Sequence, residues 1–282
     1  KEDMLRKIVH LSALLLCLTG CAATVANPEI ESPSPQKQEI IPSVEGFITI
    51  TEDEYPSVGR LLNDDMQPKC SVVLIEQDVV LTAAHCIRNE EPYVQFGDEL
   101  YSIKCTSVHP QYNATLKVEY DVAVIMLDTY VRDIVPSRIN SKSLVDTMKG
   151  APVISVGYSR GFKKRSKLNT LFYYGTLESE PTSMKMLPMG GSVWFGDSGG
   201  PGFMFIDNDF KVVGIISTFS MYRDMIYENS ATRVDVTYDW IEEEIKNERK
   251  MDRLGREEDS ISTNTSRDNN NNSGILRRSY AR

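Results

Sequence analysis

Histidine is scarce in this chain: the 282 residues hold three, His10, His85 and His109. No HExxH stretch and no paired CxxC occurs, so the spacings of common zinc sites are missing, and no metal or cofactor is expected. Positive charge is also in deficit. With 31 Lys and Arg against 40 Asp and Glu, the formal charge is −9. That balance leaves no electrostatic footprint for nucleic acid, and no such partner is expected. An internal repeat is absent. The apolar run near the start, Ile8 to Leu18, is too short for the roughly 20 residues of a membrane-spanning helix.

What is present is ordinary for a globular protein: 41% hydrophobic and 25% charged residues. From Met4 the chain reads MLRKIVHLSALLLCLTGC, with Arg6 and Lys7 ahead of the apolar run. That is the charged and apolar order of a secretory signal, expected over 1–21. Its end, Leu18-Thr19-Gly20-Cys21, resembles the lipobox of bacterial lipoproteins, in which the cysteine carries lipid. A second reading is an ordinary cut after Ala26. Both place the protein outside the cytoplasm, where disulfides are permitted. A cell-envelope lipoprotein of the outer membrane or periplasm is favoured over a secreted form. Contact with membrane is expected only through a lipid on Cys21.

Residues 22–43 combine Pro, Ser and charge and read as a tether or propeptide. At the other end, a helix is expected near 236–250 and a disordered, Asn-rich tail over 251–282. Between them lies a domain at 44–250, built from short runs rich in Val, Ile and Tyr and punctuated by Gly, Asn, Asp and Pro. SVVLIEQDVVLTAA, DVAVIMLD and FKVVGIISTFS are examples. Such spacing predicts an all-β barrel or sandwich. A polar stretch near 131–149 reads as a connection between two halves.

Three motifs stand out within that region. FGDSGGP, residues 195–201, crowds Ser198 with glycines, which alone is compatible with a simple turn. VVLTAAHC places His85 at the end of a strand, and YDVAVIML places Asp121 at the head of another. In this order the three resemble the chymotrypsin-like (trypsin-type) serine peptidases, with the similarity running from about Val44 to Ile245.

The resemblance implies two antiparallel Greek-key β-barrels, about 44–135 and 145–235, with the C-terminal helix after them and the site in the cleft between. It implies a monomeric serine endopeptidase acting on protein or peptide substrates through an acyl-enzyme. His85 would serve as base and then acid, Asp121 as its orienting carboxylate, and Ser198 as nucleophile. Backbone N–H groups of Gly196 and Ser198 would form the oxyanion hole. A non-catalytic binding or adhesion protein that keeps the fold is the alternative. An α/β-hydrolase esterase is excluded because Gly196-Asp197-Ser198-Gly199 does not sit on a strand–turn–helix.

By the same resemblance Cys70 pairs with Cys86, a closure worth roughly 3 kcal/mol in the chain-entropy model for a loop of about 15 residues. Trp194 stands where many members carry a second bridge, and Cys105 has no evident partner. Asp197 is expected to pair with the amino terminus freed by processing. Candidates for that terminus are Val44-Glu45-Gly46-Phe47 and Ile40-Ile41, neither of which follows Lys or Arg. Cleavage by a non-tryptic peptidase and activity without cleavage are both open at this point. The specificity pocket is expected to have Ser192 at its floor, Ser217 at its entrance, Phe219 on the wall or intruding, and Asn229 opposite. With no charge on these, uncharged residues are expected before the scissile bond, unless Asp224 or Glu228 turns in.

Overall fold

Valine, isoleucine and leucine, β-branched or bulky, favour the pleated strand, and their spacing tells which faces are buried. The strand at Glu99–Val108 alternates between more and less exposed positions along its length, whereas those at Val79–Thr82 and Ala123–Leu127 are buried at every residue. Alternation marks a sheet face open to solvent, and continuous burial marks a strand covered on both faces. In a computed structural model of the chain, residues 47–87, 92–115, 119–159, 163–176 and 179–276 are described. The expected signal with Cys21, the tether, and the candidate termini at Ile40 and Val44 lie outside these residues.

The elements run β1 (Phe47–Thr49), β2 (Val58–Leu62), β3 (Pro68–Glu76), β4 (Val79–Thr82), β5 (Tyr93–Phe96), β6 (Glu99–Val108) and β7 (Ala123–Leu127). They continue with β8 (Pro152–Gly157), β9 (Arg165–Thr176), β10 (Ser179–Gly190), β11 (Pro201–Ile206), β12 (Asp209–Tyr222), β13 (Met225–Arg233) and α1 (Val234–Leu276). One closed barrel has the order β2-β3-β4-β7-β6-β5. The other runs β8-β9-β10-β13-β12-β11 and closes because β8 pairs with both β9 and β11. Each barrel therefore repeats one order: first, second, third, sixth, fifth, fourth. Two tight hairpins of the second barrel turn on Asp207-Asn208 and Arg223-Asp224, all four with positive φ, as a two-residue connection between twisted strands requires.

Two boundaries differ from expectation. The first barrel begins at Val58, because β1 pairs with β9 of the second barrel, Phe47 opposite Lys167. The helix starts at Val234 and continues to Leu276 instead of giving way to a tail at 251. Val234, Ile241 and Ile245 are buried in the cluster that the first barrel shares with β8, β11 and β12. Further along, Arg249 pairs with Glu76 and Asp78, and Lys104 pairs with Asp252. Lys246, Glu248, Arg249 and Lys250 keep good helix propensity just past the docked part. From Asp259, however, the helix runs through Ser, Thr, Asn and Gly, weak helix formers whose inclusion has no structural explanation. Among the described residues, no helix is long and apolar enough to cross a membrane.

Candidate active site

Strand β4 ends in Ala83-Ala84, small residues that let the chain turn sharply into a 3-10 turn, Ala84–Cys86. That turn projects His85. Its backbone N–H donates to Asp121 Oδ1 at 2.8 Å, and its ring Nδ1 lies 2.7 Å from Asp121 Oδ2. Asp121 is fully buried at the entry to β7. The contact orients the imidazole through Nδ1, the nitrogen nearest a group able to accept its hydrogen. Two further donors come from the second barrel: Ser217 Oγ to Asp121 Oδ2 at 2.5 Å, and Thr232 Oγ1 to the Asp121 carbonyl at 3.1 Å. Asp121 thus fixes the imidazole and joins the two barrels beneath it.

Ser198 stands before β11, and its hydroxyl donates to the Ser217 carbonyl at 3.3 Å. Ser198 and His85 border the same cleft, of about 710 Å³, without a hydrogen bond between them among the described residues. Such contacts are often long until substrate is bound. The backbone N–H groups of Gly196 and Ser198 find no internal acceptor among the described residues, while Gly196 has φ +96 and its carbonyl accepts from Ser71 Oγ at 2.7 Å. Ser71 N–H also donates to the Ser198 carbonyl at 2.8 Å. At Gly199, φ is +83 and a Cβ would overlap both Thr82 Oγ1 and the Ser71 carbonyl. Only glycine lets the first barrel press this closely behind the serine.

The family model described as Trypsin matches residues 47–241, across both barrels and into α1. The chain belongs to the trypsin family of serine endopeptidases. It is 26% identical to trypsin of Sarcophaga bullata, over 71% of this chain and 87% of that protein. It is 28% identical to granzyme M of Rattus norvegicus, over 61% and 78% respectively, and 26% identical to serine protease SSP1 of Scolopendra subspinipes, over 83% and 93%.

This trypsin-family chain carries the disulfide expected beside the histidine: Cys70 and Cys86 are bonded, with Cα atoms 6.1 Å apart. The pocket residues are placed less simply. Ser217 and Phe219 border the cleft, but Ser192 and Asn229 are not among its lining residues. Asn229 is fully buried and donates from Nδ2 to Asn169 Oδ1 at 2.7 Å. Trp194, Phe195 and Phe219 line the cleft instead, Phe219 stacking on Trp194 and Phe195 packing edge-on against both. Asp224 forms the tip of an exposed hairpin, and Glu228 faces Ser220 at 3.5 Å and Lys185 at 3.9 Å, so neither carboxylate lines the cleft.

In the uncut chain the Asp197 carboxylate already has a buried cationic partner among the described residues. Its Oδ1 lies 2.6 Å from Lys167 Nζ, and both side chains are almost wholly buried, at 1% and 2% exposure for Lys167 and Asp197. Oδ2 accepts from Ser159 Oγ at 2.6 Å and from Trp194 N–H at 2.7 Å. Burial pushes the Lys167 ammonium below the usual lysine range, and Asp197 opposes that push. Sequence reasoning missed Lys167, Ser71 and the side-chain role of Ser217. Ser71 and Ser217 both lay in apolar runs quoted above, Ser71 without a role and Ser217 only at the pocket entrance.

Proposed function

We propose that this chain is an exported serine endopeptidase in which Ser198, His85 and Asp121 act as a unit. Ser198 Oγ attacks the peptide carbonyl carbon as its proton passes to His85 Nε2. The C–N bond then breaks with that proton going to the leaving amine, and water returning by the same route releases the acyl group. The N–H groups of Gly196 and Ser198 receive the developing oxyanion. The observation that carries this reading is the Asp121 carboxylate holding His85 Nδ1 at 2.7 Å while His85 and Ser198 border one cleft.

The residues assigned to the specificity pocket, Ser192, Ser217, Phe219 and Asn229, carry no charge. On the Ser198 side the cleft is lined by Val193, Trp194, Phe195 and Phe219, its charged residues Asp64, Asp65 and Lys69 coming from the first barrel. A cationic side chain buried there would have no partner, so small uncharged residues are favoured before the scissile bond. Export is supported by the signal-like start ending at Cys21 and by a disulfide, which persists in oxidising compartments.

A fluorophosphonate probe tests the reading. The folded full-length chain labels at one site, Ser198→Ala abolishes the label, and peptide-library profiling shows cleavage after small uncharged residues. A folded chain that never labels is a binding module instead, and dominant cleavage after Lys or Arg overturns the pocket assignment.

A further inference from the structure

Asp197 sits inside the loop whose backbone forms the proposed oxyanion hole, so whatever holds its carboxylate also shapes that hole. Its own N–H donates to the Trp194 carbonyl at 2.9 Å, and its carbonyl accepts from Gly200 N–H at 3.0 Å. The loop is therefore tied on both sides of Gly196 and Ser198 once the carboxylate is fixed. We infer that Lys167 is the fixed internal cation of this loop, so that the peptidase reaches its competent form with the chain uncut upstream of Phe47. The inference rests on the reading of Ser198 as nucleophile given above.

Three observations carry it. The carboxylate is fully engaged: Oδ1 with Lys167, Oδ2 with the Ser159 hydroxyl and the Trp194 N–H. There is little room for a second cation, since a Cβ placed on Gly157 would stand 2.6 Å from Asp197 Oδ1. A second ammonium would also have to be buried without its own counter-charge, an expensive placement. Lys167 itself is rigidly presented. Its strand is paired on both sides, with Phe47 opposite Lys167 in β1 and Ser155 opposite it in β8. The ammonium arrives with the second barrel and needs no new chain end.

The sequence agrees. Val44 follows Ser43, and Ile40 follows Glu39, so neither candidate terminus is preceded by a basic residue that a trypsin-like activator would recognise. A lysine built into β9 makes such a cut unnecessary. Lys167 is on this account a positioning residue: it acts on the oxyanion loop through Asp197 and does not touch substrate.

The experiment compares full-length protein, with residues upstream of Phe47 shown attached by intact mass, with protein trimmed to begin at Ile40 or Val44. The uncut chain is expected to label with fluorophosphonate and to turn over peptide at the rate of the trimmed forms. Lys167→Ala, uncut, is expected to lose about 10²–10³ in kcat, the scale of losing an oxyanion donor. 1-Butylammonium should restore part of that rate and 1-butanol should not, which a purely structural defect would not show. Where Lys167→Ala fails to fold, the comparison of uncut with trimmed wild type still decides. A silent uncut chain that becomes active on trimming overturns the inference and leaves the nucleophile reading standing. An uncut Lys167→Ala as active as wild type also overturns it. If neither form ever labels, the nucleophile reading fails and this inference with it.

Discussion

Trp194 lies flat on Phe219, with ring centroids 5.4 Å apart and ring planes 9° from parallel. The stack ties the segment just before Ser198 to β12 by packing. Aromatic pairs of this kind contribute roughly 0.5–1.5 kcal/mol beyond the area they bury. On the proposed reading the same stack limits what can enter beside Ser198, since both rings line that cleft.

Phe219→Gly removes that limit. Cleavage after larger apolar residues should rise roughly 10- to 200-fold relative to alanine, the range one misfitting methylene commands in a hydrophobic pocket. Peptide-library profiling of the two proteins side by side reads the change. An unchanged profile would show that Phe219 does not gate the pocket.

Ser217→Ala takes from Asp121 the 2.5 Å hydroxyl donor of the second barrel. A hydrogen bond to a charged group is worth roughly 1.5–3 kcal/mol, so kcat/KM should fall on the order of 10- to 100-fold. The loss should be smaller than that of His85→Ala, because His85 keeps its two bonds to the carboxylate. Steady-state kinetics on one peptide separates the two.

His109 gives the fold a pH dependence of definite sign. It is buried between Tyr120 and Trp240, with ring centroids 4.6 Å from each, and burial lowers its pKa to about 4. In the unfolded chain the imidazole titrates at its ordinary value, about 6.5. The unfolded state therefore binds the proton first, and stability present above about pH 6.5 declines as pH falls toward 4. Thermal melts of wild type should show this decline, and His109→Phe should flatten it between pH 6.5 and 5. Parallel pH curves for the two proteins would exclude His109 as the cause.

Cys105 should be slow to react. Its thiol on β6 donates to Glu248 Oε2 of α1 at 3.3 Å, and burial first, then Glu248, raises its pKa to about 12. Thiolate is the nucleophile, so at pH 8 modification by iodoacetamide should be far slower than for a free cysteine. Glu248→Gln should speed it. Rapid stoichiometric labelling of the folded wild type would contradict this.

The parts of the site that were legible in the sequence are those in which a side chain does chemistry inside a short fixed frame. His85 follows two alanines, Asp121 heads a fully apolar strand, and Ser198 is flanked by glycines whose missing Cβ atoms admit Thr82 and Ser71. Strand periodicity likewise marked the all-β class. The partners of those residues were hidden because they come from distant strands. Lys167 lies 30 residues before Asp197, and on the sequence it is one cation in the polar run KKRSKLN. Its burial follows only from β9 being paired on both sides. Ser192 and Asn229 were placed by spacing alone, which cannot foresee that Trp194, Phe195 and Phe219 line the cleft in their stead. The length of α1 was missed because its later turns are polar, and propensity is a weak guide where no apolar face repeats.

The docking of α1 has a consequence for the order in which the molecule comes into being. Val234, Ile241 and Ile245 join an apolar cluster that the first-barrel strands, all between Val58 and Leu127, share with Val156, Phe203, Val212 and Ile215 of the second. A chain emerging amino end first thus presents that barrel with an uncovered apolar face until its final segment is made. A proteolytic fragment of the first barrel inherits the same open face. The cleft is consequently a property of the finished chain: a truncated or half-made molecule has His85 without its opposing wall, and cannot cut its neighbours.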